Sequence, residues 1–128
     1  MPKIAITTTK GKAIGPYSLA IESGDLVFIS GQTPLDAATG KLAEGDISAQ
    51  ARQCLENLKV VLDAAGLTFA HVIKTTIFLT SMADFAAVNE VYKSCMSEPY
   101  PARSTIAVAA LPMAAQVEIE MIASRSAV

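Results

Sequence analysis

The chain has 128 residues, of which 52% are hydrophobic and 17% charged, with a formal net charge of −2. That composition suits a single domain over residues 1–128, its core built mainly from aliphatic side chains because aromatics make up only 5% and Trp is absent. The slightly acidic balance argues against a phosphate-backbone partner, and no apolar stretch approaches the ~20 residues of a membrane span. In chain order, residues 4–8 predict a short strand. Residues 18–22 and 26–30 predict a hairpin that turns at Ser23-Gly24-Asp25. Residues 31–45 read as one long loop containing Pro34 and Gly40, and loops of that length often carry function.

Asp46 is placed to cap a helix on which Ile47, Ala51, Leu55, Leu58, Leu62 and Ala65 recur at helical spacing, and Gly66 stops it. Residues 71–80, rich in β-branched side chains, predict a strand. Asp84 or Ser81 then caps a second helix with Phe85, Val88, Tyr92 and Cys95 on one face, ended by Pro99 and Pro101. Strands are predicted over 104–109 and 116–124, separated by a turn at Leu111-Pro112.

The order β-β-β-α-β-α-β-β, with one apolar stripe per helix, predicts an α+β fold in which both helices cover one face of one sheet. Thr76, Phe78, Ile106 and Val108 are too apolar a set to leave the other face solvated, and the mean hydropathy of +0.41 is high for a soluble monomer. An oligomer that buries the helix-free face is expected. Cys54 and Cys95 fall at apolar helix positions and read as buried free thiols. The opening Met1-Pro2-Lys3-Ile4 has no apolar leader, so a reducing, cytoplasmic setting is expected. No metal-ligand spacing is present in the sequence.

The chemistry concentrates in two segments. Arg103 follows Pro99 and Pro101 and opens an apolar run, where its planar fork is suited to gripping a carboxylate. In Val117-Glu118-Ile119-Glu120-Met121-Ile122, strict alternation puts Glu118 and Glu120 on one face of a strand. A fixed cation and two carboxylates suggest a small-molecule site. An ordinary ion pair at a sheet edge is an equally open reading of these residues.

Four local patterns, in order, carry a family resemblance. They are Ala13-Ile14-Gly15-Pro16-Tyr17, Ser30-Gly31-Gln32, Pro101-Ala102-Arg103-Ser104 and Val117-Glu118-Ile119-Glu120, with Gln50-Ala51-Arg52-Gln53 and Ala64-Ala65-Gly66 fitting as well. From about Thr8 to Ala123 the chain resembles the RidA (YjgF, translation-inhibitor) family. The resemblance implies a chorismate-mutase-like mixed sheet, and a homotrimer with a barrel-like core and clefts between subunits. It implies hydrolysis of enamines and imines such as 2-aminoacrylate and 2-iminobutyrate to 2-keto acids and ammonia, without metal or organic cofactor. Such compounds leak from pyridoxal-phosphate-dependent dehydratases of threonine and serine.

By the same resemblance, Arg103 binds the substrate carboxylate, Glu118 positions the attacking water and Tyr17 stands at the pocket mouth. Gly31 offers its N–H, with Asn89 and Thr105 as further binding positions and Ser30 and Gln32 as weaker ones. Glu120, about 7 Å along the strand from Glu118, reads as structural. Thr105 departs from the pattern, since many members have Cys there, and this leaves the substrate range and subfamily open. The lone His71 lies outside the matched segments. Three other functions remain open: an endoribonuclease that inhibits translation, a 2-keto-acid-binding regulator without turnover, and a deaminase of a pathway-specific imine. The low charge and single histidine weigh against the first.

Overall fold

The computed structural model describes residues 1–128. Its strands are β1 (Ile4–Ile6), β2 (Ala20–Ser23), β3 (Leu26–Gln32), β4 (Leu35–Asp36), β5 (Lys41–Leu42), β6 (Val72–Leu79), β7 (Ala102–Ala107) and β8 (Val117–Ser124). Helix α1 spans Ile47–Ala64 and α2 spans Phe85–Cys95. Six strands form one sheet in the order β1-β2-β3-β8-β6-β7, while β4 and β5 pair separately. All neighbours in the large sheet are antiparallel except β6 and β7, which α2 connects as a crossover. The fold is the expected α+β mixed sheet.

Helix α1 forms where the apolar spacing places it. The Asp46 carboxylate accepts a hydrogen bond from the Ala49 amide at 3.0 Å, satisfying one of the free N–H groups at the helix start. At the other end Gly66 takes a left-handed φ of 75°, and Leu67 folds back to donate to the Leu62 carbonyl at 2.9 Å. Ala51, Cys54, Leu55, Leu58, Val61 and Leu62 are buried. They meet Val117, Ile119, Met121 and Ala123 of β8, and Val27 and Ile29 of β3, in one core cluster. Each fully buried leucine contributes about 2 kcal/mol. Alternation then leaves Phe28, Phe78, Ile106, Glu118, Glu120 and Ile122 on the helix-free face. Phe28 and Ile106 are 43% and 46% exposed, so an apolar second face is present.

Several expectations are corrected. The region 31–45 is not one loop: β3 runs on to Gln32, and β4 and β5 form a small hairpin. A polar stripe on α1 holds it. Asn57 Nδ2 donates to the carbonyls of Thr33 (3.1 Å) and Leu35 (2.8 Å), Gln53 orients Asn57, and Gln50 donates to the Ala43 carbonyl. Ser81 caps a 3-10 turn (Met82–Asp84) rather than α2, and Asp84 makes no capping bond. Helix α2 ends at Cys95, before the prolines are reached. Strand β6 begins after His71, whose Nδ1 accepts from the Thr68 amide in a tight turn. Strand β7 begins at Ala102 and ends at Ala107. Only Cys54 is a fully buried thiol; Cys95 is half-buried. No helix is long and apolar enough to cross a membrane.

Candidate functional site

The nominated residues fall into two clusters on opposite faces of the sheet. Register decides this. Thr75 and Ile77, which face the helices, stand beside Arg103 and Thr105 of β7, so those two side chains lie on the helix side. Phe78, on the other face, stands beside Glu118 of β8. The ion pair between Arg103 and Glu118 or Glu120, open from sequence, therefore does not form. The ion pairs present are Lys59–Asp63 and Glu22–Arg125.

The first cluster centres on Gly31 and Glu118. Between Ile29 and Gln32 the pairing of β3 with β8 slips, because the partners jump only from Met121 to Ile119. Gly31 sits in this bulge, where a β-carbon would lie 3.0 Å from Glu118 Cδ. The missing side chain lets the carboxylate rest against the β3 backbone. Burial, followed by repulsion from Glu120, holds the Glu118 carboxyl above the ordinary glutamate range.

Ser30, next in β3, donates its hydroxyl to the Ser18 carbonyl at 2.6 Å, and its amide donates to Leu19. That ties the Tyr17 turn to β3 beside Gly31. In the turn, Tyr17 N–H donates to the Gly15 carbonyl at 2.8 Å, and the phenol oxygen accepts from the Ile14 amide at 3.3 Å. Gly15 has a φ of 143°, which non-glycine residues rarely adopt. The Tyr17 ring remains half exposed.

The second cluster lies at the β7 edge under α2. The Arg103 guanidinium carbon stands 4.9 Å from the Tyr92 ring centroid and 5.8 Å from that of Phe85. Tyr92 is buried, and its hydroxyl shares a 2.9 Å hydrogen bond with Thr75 Oγ1. Asn89, Tyr92, Lys93, Tyr100, Pro101 and Arg103 line a cavity of about 430 Å³. Thr105 Oγ1 is buried without a hydrogen-bond partner. Phe85 and Tyr92 were legible as apolar helix positions, but their role beneath Arg103 was not; the signal is aromatic residues seven apart on one helix face.

A larger cavity of about 520 Å³ lies between the loop carrying Lys10 and Lys12, the β4–β5 hairpin and α1. Of the residues singled out from sequence as binding positions it touches only Gln32, and its Asn57 is already engaged with the hairpin.

The family model described as Endoribonuclease L-PSP matches residues 7–125. Protein DfrA of Myxococcus xanthus is 54% identical over 114 residues, covering 88% of this chain and 87% of that protein. The 2-iminobutanoate/2-iminopropanoate deaminase of Salmonella typhimurium is 46% identical over 128 residues, covering 98% and 99%. The crystal structure of Escherichia coli TdcF with bound serine superposes with a TM-score of 0.89 at 43% identity, covering 96% of this chain and 99% of that one. With the fold shared over nearly its full length and every nominated residue inside the matched span, the chain belongs to the Endoribonuclease L-PSP family, the RidA/YjgF group that its sequence resembles.

Proposed function

We propose that this protein hydrolyses enamines and imines of the 2-aminoacrylate and 2-iminobutyrate type to 2-keto acids and ammonia, in clefts between copies of the chain. The observation that carries this reading is Arg103: a guanidinium with no ion pair, opening into a cavity, and separated by the sheet from Glu118. A carboxylate-bearing substrate supplies the missing counter-charge. The apolar helix-free face gives a second copy a surface on which to bring its own Gly31, Glu118 and Tyr17 to the Arg103 cavity. Names of full-length relatives, among them the Salmonella and mouse 2-iminobutanoate/2-iminopropanoate deaminases, point to the same substrates.

In this reading Arg103 grips the carboxylate through two N–H donors, with the Gly31 N–H as a further donor. Water adds to the C=N carbon while Glu118 accepts its proton, a task suited to a carboxylate with raised proton affinity. The nitrogen takes up a proton, the carbinolamine C–N bond breaks, and ammonia leaves with a C=O in its place. Tyr17 closes the mouth, and Asn89 and Thr105 flank the substrate side chain. Pyridoxal-phosphate-dependent dehydratases are the class of enzyme that supplies such intermediates. Ribonuclease chemistry is disfavoured, because the one histidine is engaged in capping the Thr68 turn.

The test is keto-acid release from 2-iminobutyrate generated in situ from threonine by a dehydratase, comparing the parent with Arg103→Ala. Acceleration by the parent that disappears in the variant supports the reading. No acceleration by either overturns it and favours ligand binding without turnover or a specialised imine.

A further inference from the structure

The Arg103 guanidinium is held by aromatic faces rather than by a counter-ion. A carboxylate partner would fix such an arginine by occupying the same in-plane N–H donors a substrate needs. Here the rings of Tyr92 and Phe85 lie beneath the guanidinium carbon, their centroids at 4.9 and 5.8 Å. A π face attracts the cation without accepting from its N–H fork, so the fork stays free. Tyr92 is in turn fixed: its ring is buried in α2 and its hydroxyl is bonded to Thr75 of β6, the residue paired with Arg103 across the parallel ladder.

We infer that Tyr92, anchored by Thr75 and assisted by Phe85, is a positioning residue that sets the carboxylate affinity of Arg103. This rests on the proposed function for the identity of the bound group. The ring orders a long, rotamer-rich side chain before substrate arrives, so less ordering remains to be done on binding. The effect falls on the shared carboxylate grip, present in both substrate and transition state, and so on KM rather than on kcat.

The experiment compares the parent with Tyr92→Leu, Tyr92→Phe, Thr75→Val and Phe85→Leu, with Val61→Ala on α1 as a core control. Each is assayed for KM and kcat on 2-iminobutyrate, for 2-oxobutyrate binding by calorimetry, and for thermal stability. Tyr92→Leu is expected to raise KM and weaken 2-oxobutyrate binding about 5- to 30-fold, the range a cation–π contact supports, with kcat within about threefold of the parent. Tyr92→Phe keeps the ring and is expected to stay within about threefold on both, whereas Thr75→Val and Phe85→Leu are expected to weaken keto-acid binding about two- to threefold. Val61→Ala is expected to lose stability with KM unmoved.

Parent-like KM and keto-acid binding in Tyr92→Leu overturn the inference while leaving the deaminase reading intact. Equal loss in Tyr92→Phe and Tyr92→Leu, or a KM rise in Val61→Ala that tracks its stability loss, overturns it as well. Should Tyr92→Leu fail to fold, parent-like keto-acid binding in both Phe85→Leu and Thr75→Val overturns it, and a twofold or greater weakening in either supports it. A parent that binds keto acid without turnover sinks the deaminase reading alone, and the calorimetric series still decides the role of Tyr92. A parent that neither binds nor turns over removes both.

Discussion

Replacing Gly31 with alanine tests whether the Glu118 carboxylate must lie where it does. The new β-carbon would fall 3.0 Å from Glu118 Cδ and 3.2 Å from both Cγ and Oε2. Carbon pairs settle at about 3.5–4.0 Å, so the carboxylate must retreat by about 0.5 Å or more. Gly31 is not among the residues with left-handed φ, so alanine brings no backbone strain. It also restricts the unfolded chain, a gain of about 0.4–1 kcal/mol. The collision is with the free end of a side chain, and its cost of about 1 kcal/mol nearly offsets that gain. Stability is therefore expected to change by less than about 1 kcal/mol, a few degrees in Tm. Catalysis is expected to suffer far more. Displacement of a reacting group by about 1 Å costs on the order of 100-fold, so kcat is expected to fall about 10-fold or more. Thermal unfolding and keto-acid release from 2-iminobutyrate, measured on the same preparation, separate the two effects. A parent-like kcat refutes the placement of Glu118 in the chemistry, and a Tm drop beyond about 10 °C refutes the claim that only a side chain must move.

Four further outcomes are expected. The acid limb of kcat/KM lies above 4.5, because burial and then Glu120 raise the Glu118 carboxyl; Glu120→Gln moves the limb down without abolishing it, and an upward or absent shift contradicts this. The same shift means that folding binds a proton, so this group favours the folded state below pH 4.5 and ceases to do so as pH rises through its native value. Glu118→Gln is accordingly expected to flatten stability against pH in that window, as read by urea unfolding at several pH values. Thr105→Val removes a buried hydroxyl with no partner and is expected to raise the denaturant midpoint, by about 1 kcal/mol in stability; a loss instead would mean that the hydroxyl is satisfied. Asn57→Ala frees two hairpin carbonyls and is expected to cost about 2 kcal/mol and to expose residues 36–41 to protease, whereas a cost below about 0.5 kcal/mol would mean that the hairpin holds itself.

Helix α1 was readable because its start, stripe and stop are all local: Asp46, the leucines and Gly66 each act within a few residues. The β4–β5 hairpin was not, since side-chain bonds from Asn57 and Gln50 of the following helix hold it, contacts that strand periodicity does not encode, and its strands are two residues long. The residues of the candidate site were nameable one by one from the family pattern, and alternation placed each on one side of its own strand. What alternation cannot supply is the register between strands. Whether Arg103 shares a face with Glu118 depends on Ile77 standing between Thr105 and Ile119, a tertiary fact with no local signature. The pedestal under Arg103 was hidden for a related reason: an aromatic on a helix stripe looks like core until the strand beneath it is known.

The separation of Arg103 from Glu118 by a sheet one residue thick also has a genetic reading. If each active unit borrows its cation from one copy and its carboxylate from the next, two inactive variants are not equivalent. If the copies also form the ring of three that the family resemblance implies, Arg103→Ala and Glu118→Gln chains, each dead alone, would regain activity when co-expressed, because every mixed ring would contain one junction at which an intact arginine faces an intact glutamate. A double variant carrying both changes on one chain, mixed with the parent, would spare the junctions between parent copies and restore no others. Dead alleles that rescue one another would thus report the assembly from inside a cell, without purification of the protein.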